Sequence, residues 1–124
     1  MKSPVPGRQR AQRWGKRAEA WCAWMLRLRG YAIVARGLKT PVGELDLIAR
    51  RGGLLAVVEV KARETFEAAG EAVSSHQRRR IERATEWLLA ARPELARLDL
   101  RFDVMLVRPW RCPRRLIGAW RVGE

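Results

Sequence analysis

Gly43-Glu44-Leu45-Asp46-Leu47-Ile48-Ala49-Arg50-Arg51-Gly52-Gly53-Leu54-Leu55-Ala56-Val57-Val58-Glu59-Val60-Lys61 reads as two β-strands joined by a tight turn. Glu44 to Arg50 forms one strand and Leu54 to Lys61 the next, with Gly52-Gly53 as a two-residue hairpin signal. The second strand is almost continuously apolar, as expected when both its faces are covered. Both strands nevertheless carry charge, and an ionised side chain buried without a partner is expensive.

The turn sets the register. A two-residue loop pairs Arg51 with Leu54, and stepping back along both strands brings Asp46 opposite Glu59. Directly opposed residues have Cβ atoms about 4.5–5.5 Å apart. A slip of one residue would send the two acids to opposite faces. Lys61 shares the face of Glu59, and Glu44 that of Asp46, because side chains two apart on a strand point the same way. Two carboxylates about 5 Å apart repel by roughly 3 kcal/mol at an effective dielectric near 20. Lys61 offsets part of that repulsion. A divalent cation offsets more of it, and two carboxylates with waters and phosphate oxygens suit Mg²⁺ or Mn²⁺. Asp46 and Glu59 are therefore candidate metal ligands. Lys61 is the candidate group for orienting an attacking water and stabilising charge that develops on a phosphate. The spacing also allows a plain ion pair between Glu59 and Lys61, with Asp46 at an exposed edge. The apolar run before Glu59 argues against that alternative.

Outside this hairpin the chain alternates between helix and strand. Residues 1–9 hold two prolines and a glycine without periodicity and read as a flexible basic arm. The rest, residues 10–124, reads as a single domain. From Arg10 to Arg29 the spacing of Trp14, Ala18, Trp21, Cys22, Met25 and Leu28 predicts a helix, closed by Gly30. Tyr31 to Arg36 is a strand, and Gly37 to Val42 a loop around Pro41. Gln77 to Ala91 predicts a second helix with Ile81, Ala84, Thr85 and Leu88 facing inward and Pro93 marking its end. Leu100 to Val107 and Leu116 to Arg121 are further strands. The order α-β-β-β-α-β-β gives an α/β fold, a mixed β-sheet flanked by α-helices, with a crossover between the third and fourth strands.

Composition narrows the function classes. The chain has 124 residues, 48% of them hydrophobic, which suffices for one domain with a core. No apolar run approaches the ~20 residues of a membrane span, and no secretory signal precedes the first helix. Cys22 and Cys112 make neither a disulfide framework nor a zinc pattern. The cytoplasm is the expected compartment, with both thiols reduced. Lys and Arg number 26 against 13 acids, a net charge of +13 and a pI near 11.5. That excess predicts attraction to a polyanion, most plausibly nucleic acid, rather than to a membrane. Arg78, Arg79, Arg80 and Arg83 cluster at the second helix as a candidate phosphate-binding patch, with Gln77 at its start. Of the six tryptophans, Trp14, Trp21 and Trp87 fit helix faces and are expected in the core. Trp24, Trp110 and Trp120 are expected to be more exposed.

The acid in one strand followed by Glu59-Val60-Lys61 in the next resembles the PD-(D/E)xK nuclease core. More closely, the chain resembles the YraN-like family of uncharacterised bacterial proteins. The matching residues are Gly15-Lys16-Arg17-Ala18-Glu19, Gly30-Tyr31, Gly43 to Ala49, Val58 to Arg63, and Arg101-Phe102-Asp103-Val104. The resemblance implies a restriction-endonuclease-like fold akin to that of archaeal Holliday-junction resolvases. It also implies a catalytic set of Glu19, Asp46, Glu59 and Lys61. The expected function is metal-dependent hydrolysis of DNA phosphodiester bonds, in branched or single-stranded DNA; the alternative is a nuclease fold that binds nucleic acid without cutting it. A homodimer would suit symmetrical cutting of a junction. Two positions depart from the family pattern. Gly37 stands where Asn usually follows the strand-one Arg, and Gln77 lies near a usual Lys.

Overall fold

The computed structural model describes residues 6–62, 73–108 and 111–123, with side chains in the first helix from Lys16 onward. Its elements are α1 (Pro6–Leu28), β1 (Ala32–Thr40), β2 (Gly43–Arg51), β3 (Leu54–Ala62), α2 (Ser75–Ala91), β4 (Asp99–Val107) and β5 (Arg114–Trp120). The five strands lie in chain order in one sheet, antiparallel except for the parallel pair β3–β4. This is the expected α/β arrangement, consistent with a restriction-endonuclease-like fold.

Local chemistry sets the boundaries. α1 begins at Pro6, inside the stretch read as an arm, because proline suits the first helical position, where no N–H is needed. It ends in a Schellman motif. The Tyr31 N–H donates to Leu26 O at 2.9 Å and the Gly30 N–H to Arg27 O at 3.0 Å, with Gly30 at φ +87°. α2 begins at Ser74, whose hydroxyl accepts from the Gln77 N–H at 3.2 Å. Its last turn is closed by the Arg92 N–H on Leu88 O at 2.8 Å, just before Pro93.

Two apolar layers sandwich the sheet. On one side Ile48, Leu55, Val57, Phe102 and Val104 pack against Ile81, Ala84 and Leu88 of α2. On the other Leu47, Ala49, Ala56, Val58 and Met105 pack against Ala18, Cys22, Ala23 and Leu26 of α1. β3 is apolar on both faces because it lies between both layers. The face of α2 is as expected, but that of α1 is rotated. Small side chains, Ala18, Cys22 and Ala23, let this helix approach Ala49 and Ala56 closely, and the bulky residues are pushed to its flanks. Trp21 is 54% exposed, and Leu28, Trp24 and Trp87 are exposed too. Trp120, expected outside, is 3% exposed and stacks on Phe102 with ring centroids 4.9 Å apart. Trp14 and Trp110 lie outside the described side chains.

Two aspartates interrupt the regular ladder. Asp103 is fully buried, and the β4–β5 register shifts between Phe102 and Val104. Its carboxylate accepts Arg101 Nε at 2.8 Å and Nη2 at 2.7 Å, a two-pronged ion pair, and the Gly118 N–H at 2.8 Å. Arg101 Nη2 and Arg115 Nη2 also donate to the Tyr31 hydroxyl at 2.9 and 3.1 Å, tying the end of α1 to β4 and β5. The second interruption, at Asp46, shapes the site.

Candidate active site

The β2–β3 hairpin has the expected register from Arg51↔Leu54 to Leu47↔Val58, with Gly52 at φ +57° in the turn. Beyond that pair the two strands no longer form a ladder. β2 continues against β1 and β3 against β4. Asp46 Oδ2 accepts the Val60 N–H at 3.0 Å, so a side chain replaces the backbone carbonyl that a continuing ladder would supply. An unpaired N–H in the interior would be costly, so this bond stabilises a fork between the strands.

β1 takes part in the same distortion. The β1–β2 register places Gly37 across from Asp46, between Arg36↔Leu47 and Leu38↔Leu45. Gly37 has φ +54°, the left-handed region in which glycine is unstrained and Asn is the best tolerated alternative. The Asn-to-Gly departure noted in the sequence therefore conserves a backbone requirement. A Cβ here would sit 3.4 Å from Glu44 Oε1 and 3.8 Å from Glu19 Oε2. Glu19, from α1, and Glu44, from β2, thus meet over this position. Alternation along β2 is broken as well: Leu45 packs with the α2 layer and Leu47 with the α1 layer.

The fork opens into a cavity of about 220 Å³ lined by Gly43, Glu44, Asp46, Glu59, Gln77 and Arg80. Glu59 is 7% exposed. Its Oε1 accepts from Lys61 Nζ at 3.2 Å and from Gln77 Nε2 at 3.1 Å. Lys61 is on the face expected for it. Burial raises the Glu59 carboxyl to about 8, helped by the charge of Asp46 and a hydrogen-bonding contact with it, and opposed by Lys61. Burial, with the charges of Asp46 and Glu44, lifts Glu19 to about 7 against the pull of Arg36 and Lys16. Burial also pushes the Cys22 thiol up to about 12, which leaves it an inert core group.

The donor set fits a hard divalent cation. The two raised carboxyls are held up first by burial and then by neighbouring negative charge, and a cation placed there would compete with the proton. Among the described residues no group of three His, Cys, Asp or Glu side chains forms a metal cage. The protein would supply two carboxylates and leave the remaining positions to water and phosphate, the habit of Mg²⁺.

The basic residues of α2 divide. Arg80 lines the cavity, and Arg79 and Arg83 are exposed. Arg78 turns away: its Nε donates to Val73 O at 3.1 Å and its guanidinium lies 5.6 Å from the Trp120 ring centroid. Gln77 caps Glu59 rather than facing solvent. Sequence reasoning missed Arg36 beside Glu19, and the structural role of Gly37. The unusual Gly after Arg36 was the available signal for the latter.

Residues 18–107 match the uncharacterised protein family UPF0102. A UPF0102 protein of Paramagnetospirillum magneticum, amb4503, is 53% identical over 98% of this chain and 99% of its own length. Relatives from Parvibaculum lavamentivorans and a Chelativorans species are 58% and 55% identical, over 90% and 86% of this chain and 84% and 86% of their own lengths. Glu19, Asp46, Glu59, Lys61 and Gln77 all lie within the matched span, and no helix is long and apolar enough to cross a membrane. The chain belongs to the UPF0102 family, the YraN-like proteins its motifs resemble.

Proposed function

We propose that this protein is a metal-dependent endonuclease that hydrolyses DNA phosphodiester bonds. The observation that carries the reading is the fork. A strand pair opens at Asp46, and its carboxyl meets Glu59 beside the Lys61 ammonium. A divalent ion held by Asp46 and Glu59 would polarise the phosphodiester and make water a better nucleophile. Lys61, 3.2 Å from Glu59 Oε1, lies where it orients the attacking water and stabilises negative charge on the phosphate. Glu19, with its carboxyl raised to about 7, is matched to accepting a proton at neutral pH. Gln77 fixes the Glu59 carboxylate. Arg79, Arg80 and Arg83 attract the phosphate backbone to the mouth of the cleft.

One observation favours a second reading. Lys61 and Gln77 both bond Glu59 Oε1, so the buried carboxylate already has partners, as in a nuclease fold that binds nucleic acid without cutting it. Incubating linear duplex, single strands, flaps and four-way junctions with Mg²⁺ or Mn²⁺ separates the two. The nuclease reading expects cutting by the wild type and none by Lys61→Ala. Equal cutting by both, or no cutting with metal and DNA both bound, would overturn it.

A further inference from the structure

On the other flank of α1 lies a second, larger cavity of about 460 Å³, which shares no lining residue with the carboxylate cleft. Its floor is Ala18 and Val107, and its walls carry Arg17, Trp21, Arg108 and Arg111. Arg17 and Trp21 stand one helical turn apart, with Glu19 turned to the opposite flank toward Asp46 and Glu44. Arg108 and Arg111 lie just beyond β4, with the Arg111 N–H donating to Arg108 O at 3.4 Å. Its described lining has three guanidinium groups, one half-exposed indole, the exposed Cys112 thiol and no acid. The Arg108 Nε is buried without a hydrogen-bond partner among the described residues, a donor with no acceptor.

We propose that this cavity is a nucleotide subsite, which takes one unpaired base against the Trp21 ring and its phosphate on Arg17, Arg108 and Arg111. The volume falls in the range of small-molecule sites, about 300–1,000 Å³. An aromatic face beside guanidinium groups is the combination that holds single-stranded nucleic acid, since every base has a stacking face and every nucleotide a phosphate. The subsite is also close to the cleft. Val107 is the strand partner of Ala62, the residue after Lys61. Both sites therefore lie toward the same end of the sheet, the cleft on its α2 side and the subsite on its α1 side. Bases in a duplex are stacked on one another, so the subsite selects single strands, flaps or branch points. This inference rests on the protein's acting on nucleic acid, and it narrows the substrate class.

The test is fluorescence anisotropy of an end-labelled oligothymidylate and of a blunt duplex, both in EDTA so that neither metal nor cutting contributes. Trp21→Ala and Arg108→Gln are each expected to weaken oligothymidylate binding about tenfold and duplex binding less than about twofold, with Trp21→Phe close to wild type. Circular dichroism confirms that each variant is folded. Equal losses on both ligands, or none, would overturn the subsite while leaving the nuclease reading intact. Wild type that binds neither ligand would overturn both. Thymidine monophosphate that binds more tightly than the oligonucleotide would overturn the assignment to a strand. Light scattering that finds a wild-type dimer and a monomeric Trp21→Ala would make this face a subunit contact and overturn the proposal.

Discussion

Replacing Asp46 by Asn should make the metal-free protein more stable at alkaline pH. The side-chain oxygen that accepts the Val60 N–H is kept, so the fork stays closed at its base. What disappears is the negative charge beside Glu59. The folded-state carboxyl of Glu59 is raised from 4.5 to about 8. An acid with a raised folded-state pKa binds its proton more tightly in the native state. Its contribution is fully present below pH 4.5 and is lost as the pH rises through about 8. A shift of that size corresponds to roughly 5 kcal/mol, with burial the largest cause and the charge of Asp46 the next. A unit charge about 5 Å away contributes roughly 3 kcal/mol at an effective dielectric near 20. Solvent relaxation around the site reduces this, which leaves a gain of about 1–2 kcal/mol. Urea unfolding in EDTA near pH 8 and near pH 4.5 measures it, with the gain expected only at the higher value. An equal loss of stability at both pH values would show that Asp46 is an ordinary structural acid, and would refute the reasoning. In the proposed site the charge of Asp46 lowers the stability of the metal-free protein, and a bound cation would offset it.

Other parts of the structure predict as sharply. Asp103→Ala strands Arg101 beside a buried gap and should cost about 3–5 kcal/mol in urea unfolding. Gly37→Asn should be tolerated, whereas Gly37→Val, with a β-branched side chain at φ +54°, should lose at least about 1–2 kcal/mol. Neutralising Arg79, Arg80 and Arg83 together should weaken duplex DNA uniformly across sequences and lower the slope of log affinity against log salt by about 2–3. A thiol reagent at neutral pH should label Cys112 alone in the native protein, because Cys22 is buried and its thiol raised to about 12; mass spectrometry reads the site.

The hairpin was legible because a two-residue loop leaves one register, and that register holds as far as Leu47↔Val58, one residue short of the expected Asp46–Glu59 pair. The inner face of α2 was legible from spacing alone. The fork was not, because it depends on a side chain replacing a backbone acceptor and on a left-handed residue in a different strand. Alternation along β2 predicts none of this. The tryptophans misled for a related reason. Size suggests burial, but a helix that packs closely on a sheet selects Ala and Cys for its inner face and turns Trp21 outward. The sequence places Gln77 with the phosphate-binding patch, because nothing local shows that its amide reaches back to Glu59. The roles of Arg101 and Tyr31 around Asp103 join three elements distant in sequence, and no short-range pattern encodes them.

The central claim is that Asp46 and Glu59 hold a divalent cation. Titration calorimetry of the EDTA-stripped protein with Mg²⁺ or Mn²⁺ at neutral pH, in two buffers of different ionisation heat, tests it directly. The raised Glu59 carboxyl favours its protonated form, so binding should release protons, and the observed heat should change with the buffer. Asp46→Ala and Glu59→Gln should abolish binding. Absence of binding at millimolar metal, or unchanged binding in both variants, would contradict the account.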